Sequence, residues 1–199
     1  GRDTLTTSLM AGLLGPWPVE GALSALGRHQ ARSRDDFRDA QPGKIAHELR
    51  HGELARFGLI PHTPYYGSHD APALYVLALW NAFRWKGDAG LLRRHLATAQ
   101  AALAWCDELG DEDGDGLLEY RTKSKAGYRN QGWKDAGDAV PHEDGTLAEP
   151  PIATVELQGY WYAARLAMAE LLHAVGQHER AETLRLAARQ LRRLVEERF

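Results

Sequence analysis

The apolar positions fall into two kinds of helical stripe. Residues 89–109 carry Leu92, Leu96, Ala99, Leu103 and Cys106 on one face, and residues 178–198 carry Ala181, Leu184, Ala188, Leu191 and Val195. Spacings of three and four residues over a charged opposite face predict amphipathic helices half in water. Residues 71–85 and 152–175 are different. They hold Ala73-Leu74-Tyr75-Val76-Leu77-Ala78-Leu79-Trp80 and Gly159-Tyr160-Trp161-Tyr162-Ala163-Ala164, apolar nearly all round, which predicts helices covered on most sides. Helices over 4–14 and 18–32 complete three pairs. Punctuation agrees with these bounds: Gly15-Pro16 after the first, Pro18 in the first turn of the second, Asp88 as an N-cap before the fourth, and Gly176 after the fifth.

The connections alternate as well. Within pairs they are short; between pairs they run to roughly 35 and roughly 40 residues. Loops that long in a compact domain usually carry function. Antiparallel succession puts both at one end. Within them, 44–50 and 117–121 alternate at period two and predict short strands. The expected fold is all-α: about half of an (α/α)6 toroid, with covered odd helices inside, amphipathic even helices outside and short strands in the long loops. A helical-hairpin solenoid needs neither loops this long nor inner helices this apolar. All of 1–199 reads as one unit. It opens at a helix start and closes on a helix without a stop signal, so it is expected to be the N-terminal half of a larger catalytic domain. Unpaired inner helices would then expose apolar surface such as Trp161 and Leu166, to be covered by the rest of the protein or by a second copy.

Composition narrows the partners. The net charge of −3 argues against nucleic acid. No apolar run approaches the length of a membrane span, and no signal-peptide pattern opens the chain. Cys106 stands alone, so no internal disulfide is expected; a reducing, cytoplasmic setting fits, with the thiol as a small core residue. The nine histidines show no paired ligand spacing, so neither His47 nor His69 is expected to hold metal, and no cofactor is implied. Residues 111–116 match the first half of a calcium loop, but the twelfth position is Thr122 rather than the bidentate Glu, and an acidic turn leading into a strand is the better reading.

Helix N-termini at the loop end favour oxygen-rich ligands and carboxylates. There the chain places Arg2 and Asp3, Tyr66, Asp70, Gln131, Trp133, Lys134, Asp135, Glu156 and Gln158. Aromatic faces cover the apolar side of a pyranose, while carboxylates, amides and Arg bond its hydroxyls, so this mix suits a sugar. Bland alternatives stand beside these roles: Arg2 and Asp3 pairing with each other, Asp70 as an N-cap, Glu156 as a favourable first-turn acid, and Gln158 bonding loop backbone. Glycoside hydrolysis needs two carboxyl groups. Asp135 and Asp138 both stand near Trp133 in sequence, and Trp133 could supply the apolar wall that keeps an acid protonated.

Gly1-Arg2-Asp3, Pro42-Gly43-Lys44-Ile45-Ala46-His47-Glu48-Leu49-Arg50, Tyr65-Tyr66-Gly67-Ser68-His69-Asp70, Asp113-Gly114-Asp115-Gly116-Leu117-Leu118-Glu119-Tyr120, Asn130-Gln131-Gly132-Trp133-Lys134-Asp135 and Glu156-Leu157-Gln158-Gly159-Tyr160 occur in that order. Together they resemble the amylo-α-1,6-glucosidase (glycogen debranching enzyme) family, related to trehalases and other α-glucosidases of the same toroid. The resemblance implies an inverting hydrolase of α-glucosidic bonds, its acid in a Trp-x-Asp motif, here Trp133-Lys134-Asp135. It also implies a glutamate base in a later loop, which falls beyond Phe199, so the chain alone is expected to be inactive. Two other classes compete. A sugar epimerase or isomerase on the same toroid would want a pair of histidines across the cavity, and none is evident. A non-catalytic carbohydrate-binding scaffold would not need an acid at Asp135.

Overall fold

The computed structural model describes residues 1–199. Seven α-helices dominate it: α1 (Arg2–Met10), α2 (Trp17–Arg28), α3 (Glu53–Arg56), α4 (Ala71–Lys86), α5 (Ala89–Leu109), α6 (Val155–Ala174) and α7 (His178–Arg198). The one sheet pairs β1 (Glu119–Tyr120) with β2 (Ile152–Ala153) antiparallel. The molecule is therefore mostly helical. None of the helices is long and apolar enough to cross a membrane.

Local chemistry explains the helix ends. Pro18 and Pro72 sit in the first turns of α2 and α4, where no N–H is needed. The Asp88 carboxylate accepts from Gly90 N (2.7 Å) and Leu91 N (3.1 Å), capping α5. Gly87 (φ +64) and Gly176 (φ +80) supply the left-handed residues that end α4 and turn α6 into α7.

Packing follows the two kinds of stripe. Helix α4 touches α1, α2, α5 and α6, and buries nine of its sixteen residues. Helix α7 packs chiefly on α6 and buries only Ala181, Ala188 and Leu191. The 35-residue core cluster runs through α1, α2 and α4–α7 and takes in Leu117, Leu118, Tyr120 and Ile152 from the second loop.

Several expectations need correction. Trp161 is not left on an open face: it is 3% exposed, its indole N–H donates to Asp107 Oδ1 (2.8 Å), and the Arg165 guanidinium lies 3.8 Å from its ring centre. Exposed large apolar groups lie elsewhere: Phe57, Leu59, Trp85 and Phe199 are scattered, while Met10, Leu13, Leu14 and Trp17 fall together in sequence, where α1 tightens into a 3-10 turn over Ala11–Leu14 and leads into α2. Residues 44–50 form no strand, only the isolated bridge Glu48–Tyr65, because Lys44, Ile45 and Ala46 are all buried in succession and cannot alternate faces. Ile152 belongs to β2 rather than to the helix, which starts at Val155. The short α3 falls inside the first long loop, where no helix is expected from the pattern.

Both long loops lie at the same end and are tied together. His69 N donates to Gln131 O (2.8 Å), and Tyr128 N donates to the Tyr65 hydroxyl (2.8 Å). Most of the joint is Asp39. Its buried carboxylate accepts from Tyr65 Oη, Thr122 Oγ1, Lys123 N, Ser124 N and Gln131 Nε2, at 2.6–3.2 Å. Asp39 has φ +51, a conformation that Asp tolerates better than most residues.

Candidate active site

Three helix N-termini meet the second loop, and Arg2, in the first turn of α1, is the centre of the meeting. Its side chain is almost fully buried. One terminal nitrogen donates to Asp70 Oδ2 (3.1 Å) and to Gly132 O; the other donates to Asp135 Oδ2 (2.5 Å). Burial works against the guanidinium charge, but Asp70 and Asp135 outweigh it and hold its pKa above the ordinary value. Arg2 Nε is buried with no hydrogen-bond partner; the nearest charge is Asp3, 3.9 Å away and itself largely in solvent. Arg2 and Asp3 do pair, as a weak lateral contact, while the strong bonds go to residues distant in sequence.

Asp70 does not cap α4 with its side chain. Its carboxylate is wholly buried, taking Arg2 on one oxygen and the Ser68 hydroxyl (2.5 Å) on the other. Burial raises its pKa, and Arg2 and Ser68 pull it back. It supports Arg2 from behind rather than facing a ligand.

Asp135 and Trp133 stand on the solvent side. The turn that carries them is folded back by Asn130, whose amide donates to Ala136 O (2.5 Å). Trp133 is 54% exposed, with the Arg2 guanidinium 5.6 Å from its ring centre. The Asp135 side chain is 49% exposed, one oxygen engaged by Arg2 and the other accepting nothing from the chain. Trp133 therefore does not build the enclosing wall expected around Asp135. Lys134 and Asp138 are exposed, with no ion pair in the chain.

Glu156, in the first turn of α6, completes the group. Its Oε1 is buried without a hydrogen-bond partner, as is the neighbouring Thr154 Oγ1. Both lie beside Gly132: a Cβ there would stand 3.4 Å from the Glu156 oxygen and 3.7 Å from the Thr154 oxygen. Orphaned buried oxygens in a native fold need a partner, and these two face the peptide that also receives Arg2. The field of these acids is felt nearby: burial first, then Asp70 and Glu156, raise the Tyr160 phenol, while burial and Glu156 push Tyr120 up to about 12.

The remaining predicted ligands lie elsewhere. The Tyr66 hydroxyl donates to His29 O (2.8 Å) and its ring packs with Ala31, Ala40 and Ala46, so it offers no sugar platform. Gln131 is 1% exposed and donates to Asp39, so it braces the loops. Gln158 is fully buried and pairs with both backbone groups of Leu118, accepting from its N–H (2.8 Å) and donating to its carbonyl (2.6 Å). The backbone reading of Gln158 thus replaces the ligand reading.

Sequence reasoning missed a second polar group beside the site. The Tyr128 hydroxyl donates to Glu48 Oε2 (3.0 Å) and meets Arg50 Nη2 (3.2 Å) and His62 Nε2 (3.1 Å). Burial and Glu48 raise the Tyr128 phenol, and Asp135 adds to the effect, which places the cluster within electrostatic reach of the candidate acid. The run His47-Glu48-Leu49-Arg50 was visible in sequence, but its partner Tyr128 comes from the other loop. The acidic turn resolves as backbone-bonded carboxylates. Asp111, Asp113 and Asp115 converge within 4.8 Å of one another and accept loop N–H groups, while Thr122 is turned away to Asp39. No family model and no curated protein matches the chain.

Proposed function

We propose that this chain belongs to an inverting glycoside hydrolase acting on α-glucosidic bonds, with Asp135 as the general acid. One observation carries the reading: a solvent-facing carboxylate, fixed on one oxygen by a buried arginine and free on the other, stands beside an exposed tryptophan where three helix N-termini converge. Neither Trp133 nor Arg2 favours a protonated Asp135, so in this reading a bound sugar supplies the enclosure by excluding water, and the free oxygen then carries the proton to the glycosidic oxygen. Arg2 keeps the carboxyl from rotating, which is positioning rather than proton transfer. Trp133 covers the apolar face of a sugar, and the part-exposed carboxylate of Glu156, which has no hydrogen-bond donor in the chain, accepts from its hydroxyls. Inversion requires a second carboxylate about 6.5–9.5 Å from Asp135, with water between it and the anomeric carbon. The helical pairs and the single loop-bearing end support an (α/α)6 toroid as the parent architecture, of which these residues form part.

The test is Asp135→Asn in the natural full chain. The amide still accepts from Arg2, so folding should be unchanged by thermal unfolding. Turnover of α-linked gluco-oligosaccharides should fall about 10²–10⁴-fold. Glucosyl fluoride or a nitrophenyl glucoside, whose leaving groups need little protonation, should lose much less. Wild-type turnover of the oligosaccharide by the variant would remove Asp135 from the role.

A further inference from the structure

The start of α1 is pressed against the first long loop. Gly1 N donates to His47 O (2.5 Å), and a side chain at Gly1 would strike Ala46 O and the His47 Cα. Arg2 and His47 are therefore neighbours, and Glu48 and Arg50, which bond Tyr128, follow directly on His47. Tyr128 in turn stands just before Asn130, the residue that folds back the turn carrying Trp133 and Asp135. The Glu48–Arg50–Tyr128 cluster thus adjoins Arg2 and Asp135 from both long loops at once. Its inner side is closed: Tyr65 and His62, 0% and 4% exposed, pack edge-on against the Tyr128 ring at 5.4 and 5.5 Å between centres. Its outer side is open, with 30% of the Glu48 side chain and 47% of the Arg50 side chain in solvent.

Arg50 donates from Nε to Glu48 Oε1 (2.5 Å) and from Nη2 to the Tyr128 hydroxyl (3.2 Å). A guanidinium has five donors, so three find no acceptor in the chain. A planar fork already held in place can take adjacent hydroxyls with little freedom left to lose. His47 adds a further donor. Burial, and then Arg2, push its pKa down to about 4, so the ring is neutral at pH 7. Its Nδ1 is buried without a partner, which leaves Nε2 as the ring nitrogen that can meet a ligand. An acid that protonates a glycosidic oxygen stands between two sugar units. Trp133 and Glu156 offer contacts for one of them. We propose that Arg50, Glu48 and His47 hold the other, the sugar that leaves with that oxygen, so that the site takes an oligosaccharide in preference to a simple glucoside. The proposal rests on the glucosidase reading of Asp135. The leaving sugar belongs on this side because Glu48 and Arg50 lead into residues 51–59, all exposed except Ala55, where a product can depart. Glu156 stands instead in the first turn of α6, beside the buried Gly132.

Steady-state kinetics of the natural full chain on an α-linked gluco-oligosaccharide and on glucosyl fluoride test the assignment, because the fluoride has no leaving sugar. Arg50→Gln should lower kcat/KM on the oligosaccharide about 10–100-fold, chiefly through KM, and leave kcat/KM on the fluoride within about twofold. Arg50→Lys keeps the charge but not the fork and should fall between wild type and Arg50→Gln. Thermal unfolding checks that the variants fold. Should Arg50→Gln fail to fold, His47→Phe keeps a ring, removes the Nε2 donor and is held to the same contrast. An equal loss on both substrates would overturn the proposal by moving the cluster to the other sugar, and an unchanged KM for the oligosaccharide in a folded variant would overturn it outright. A wild-type chain that turns over neither substrate would overturn the glucosidase reading, and this assignment with it.

Discussion

Arg2 shows how much of this site rests on one side chain. It is the only cation within ion-pair distance of Asp70, and it joins α1 to α4 and to the second loop at once. Removing one partner of a buried pair leaves the other uncompensated, at about 3–5 kcal/mol. Arg2→Met should cost that much in urea unfolding at pH 7. The stranded Asp70 would hold its proton in the fold better than in the unfolded chain. Stability of the variant should therefore recover as the pH falls toward 4 and be lost as it rises. Arg2→Met combined with Asp70→Asn should regain more than half the loss. A single variant within about 1 kcal/mol of wild type would mean that solvent, not Arg2, satisfies Asp70. The sequence showed Arg2 and Asp3 side by side and suggested their pairing. It held no sign of Asp70 or Asp135 as partners, because those contacts arise only when three separate chain segments close on one another.

At the scale of elements, Gln158 ties the first turn of α6 to the strand region before it. It copies a backbone pairing with Leu118, next to the short β1–β2 ladder. Gln158→Leu would leave a buried N–H and a buried carbonyl without partners, at about 1–3 kcal/mol each. Urea unfolding should show a loss of about 2–4 kcal/mol; a loss below about 0.5 kcal/mol would show that water replaces the amide. The helices were legible because periodicity and caps are local: α4, α5 and α7 fall within a residue or so of the bounds read from pattern. The loops were not. Alternation over 44–50 suggested a strand, but its N–H groups go to single acceptors such as Tyr65 O and His62 O rather than to a ladder. A side chain aimed at a backbone, like Gln158 or Asp39, leaves no trace in hydrophobic pattern. The positions of Trp133 and Asp135 on the loop-bearing end were legible; the exposure of both, and the burial of Gln131 and Gln158, were not.

For the molecule as a whole, apolar surface is uneven. Met10, Leu13, Leu14 and Trp17 are 77%, 89%, 70% and 67% exposed and sit close together in sequence, across the end of α1 and its turn into α2. Large apolar groups exposed this close together favour association. Two copies pairing there would follow the self-association expected from the sequence, through a different set of residues than Trp161. Sedimentation should show a dimer that Leu13→Glu converts to monomer; a wild-type monomer at high micromolar concentration would exclude pairing. The same surface ties thermal stability to the amount of protein present. If folded copies associate and unfolded ones do not, dilution alone draws the folded form down by mass action, and the melting temperature of the unmodified chain falls with it, while that of Leu13→Glu stays fixed.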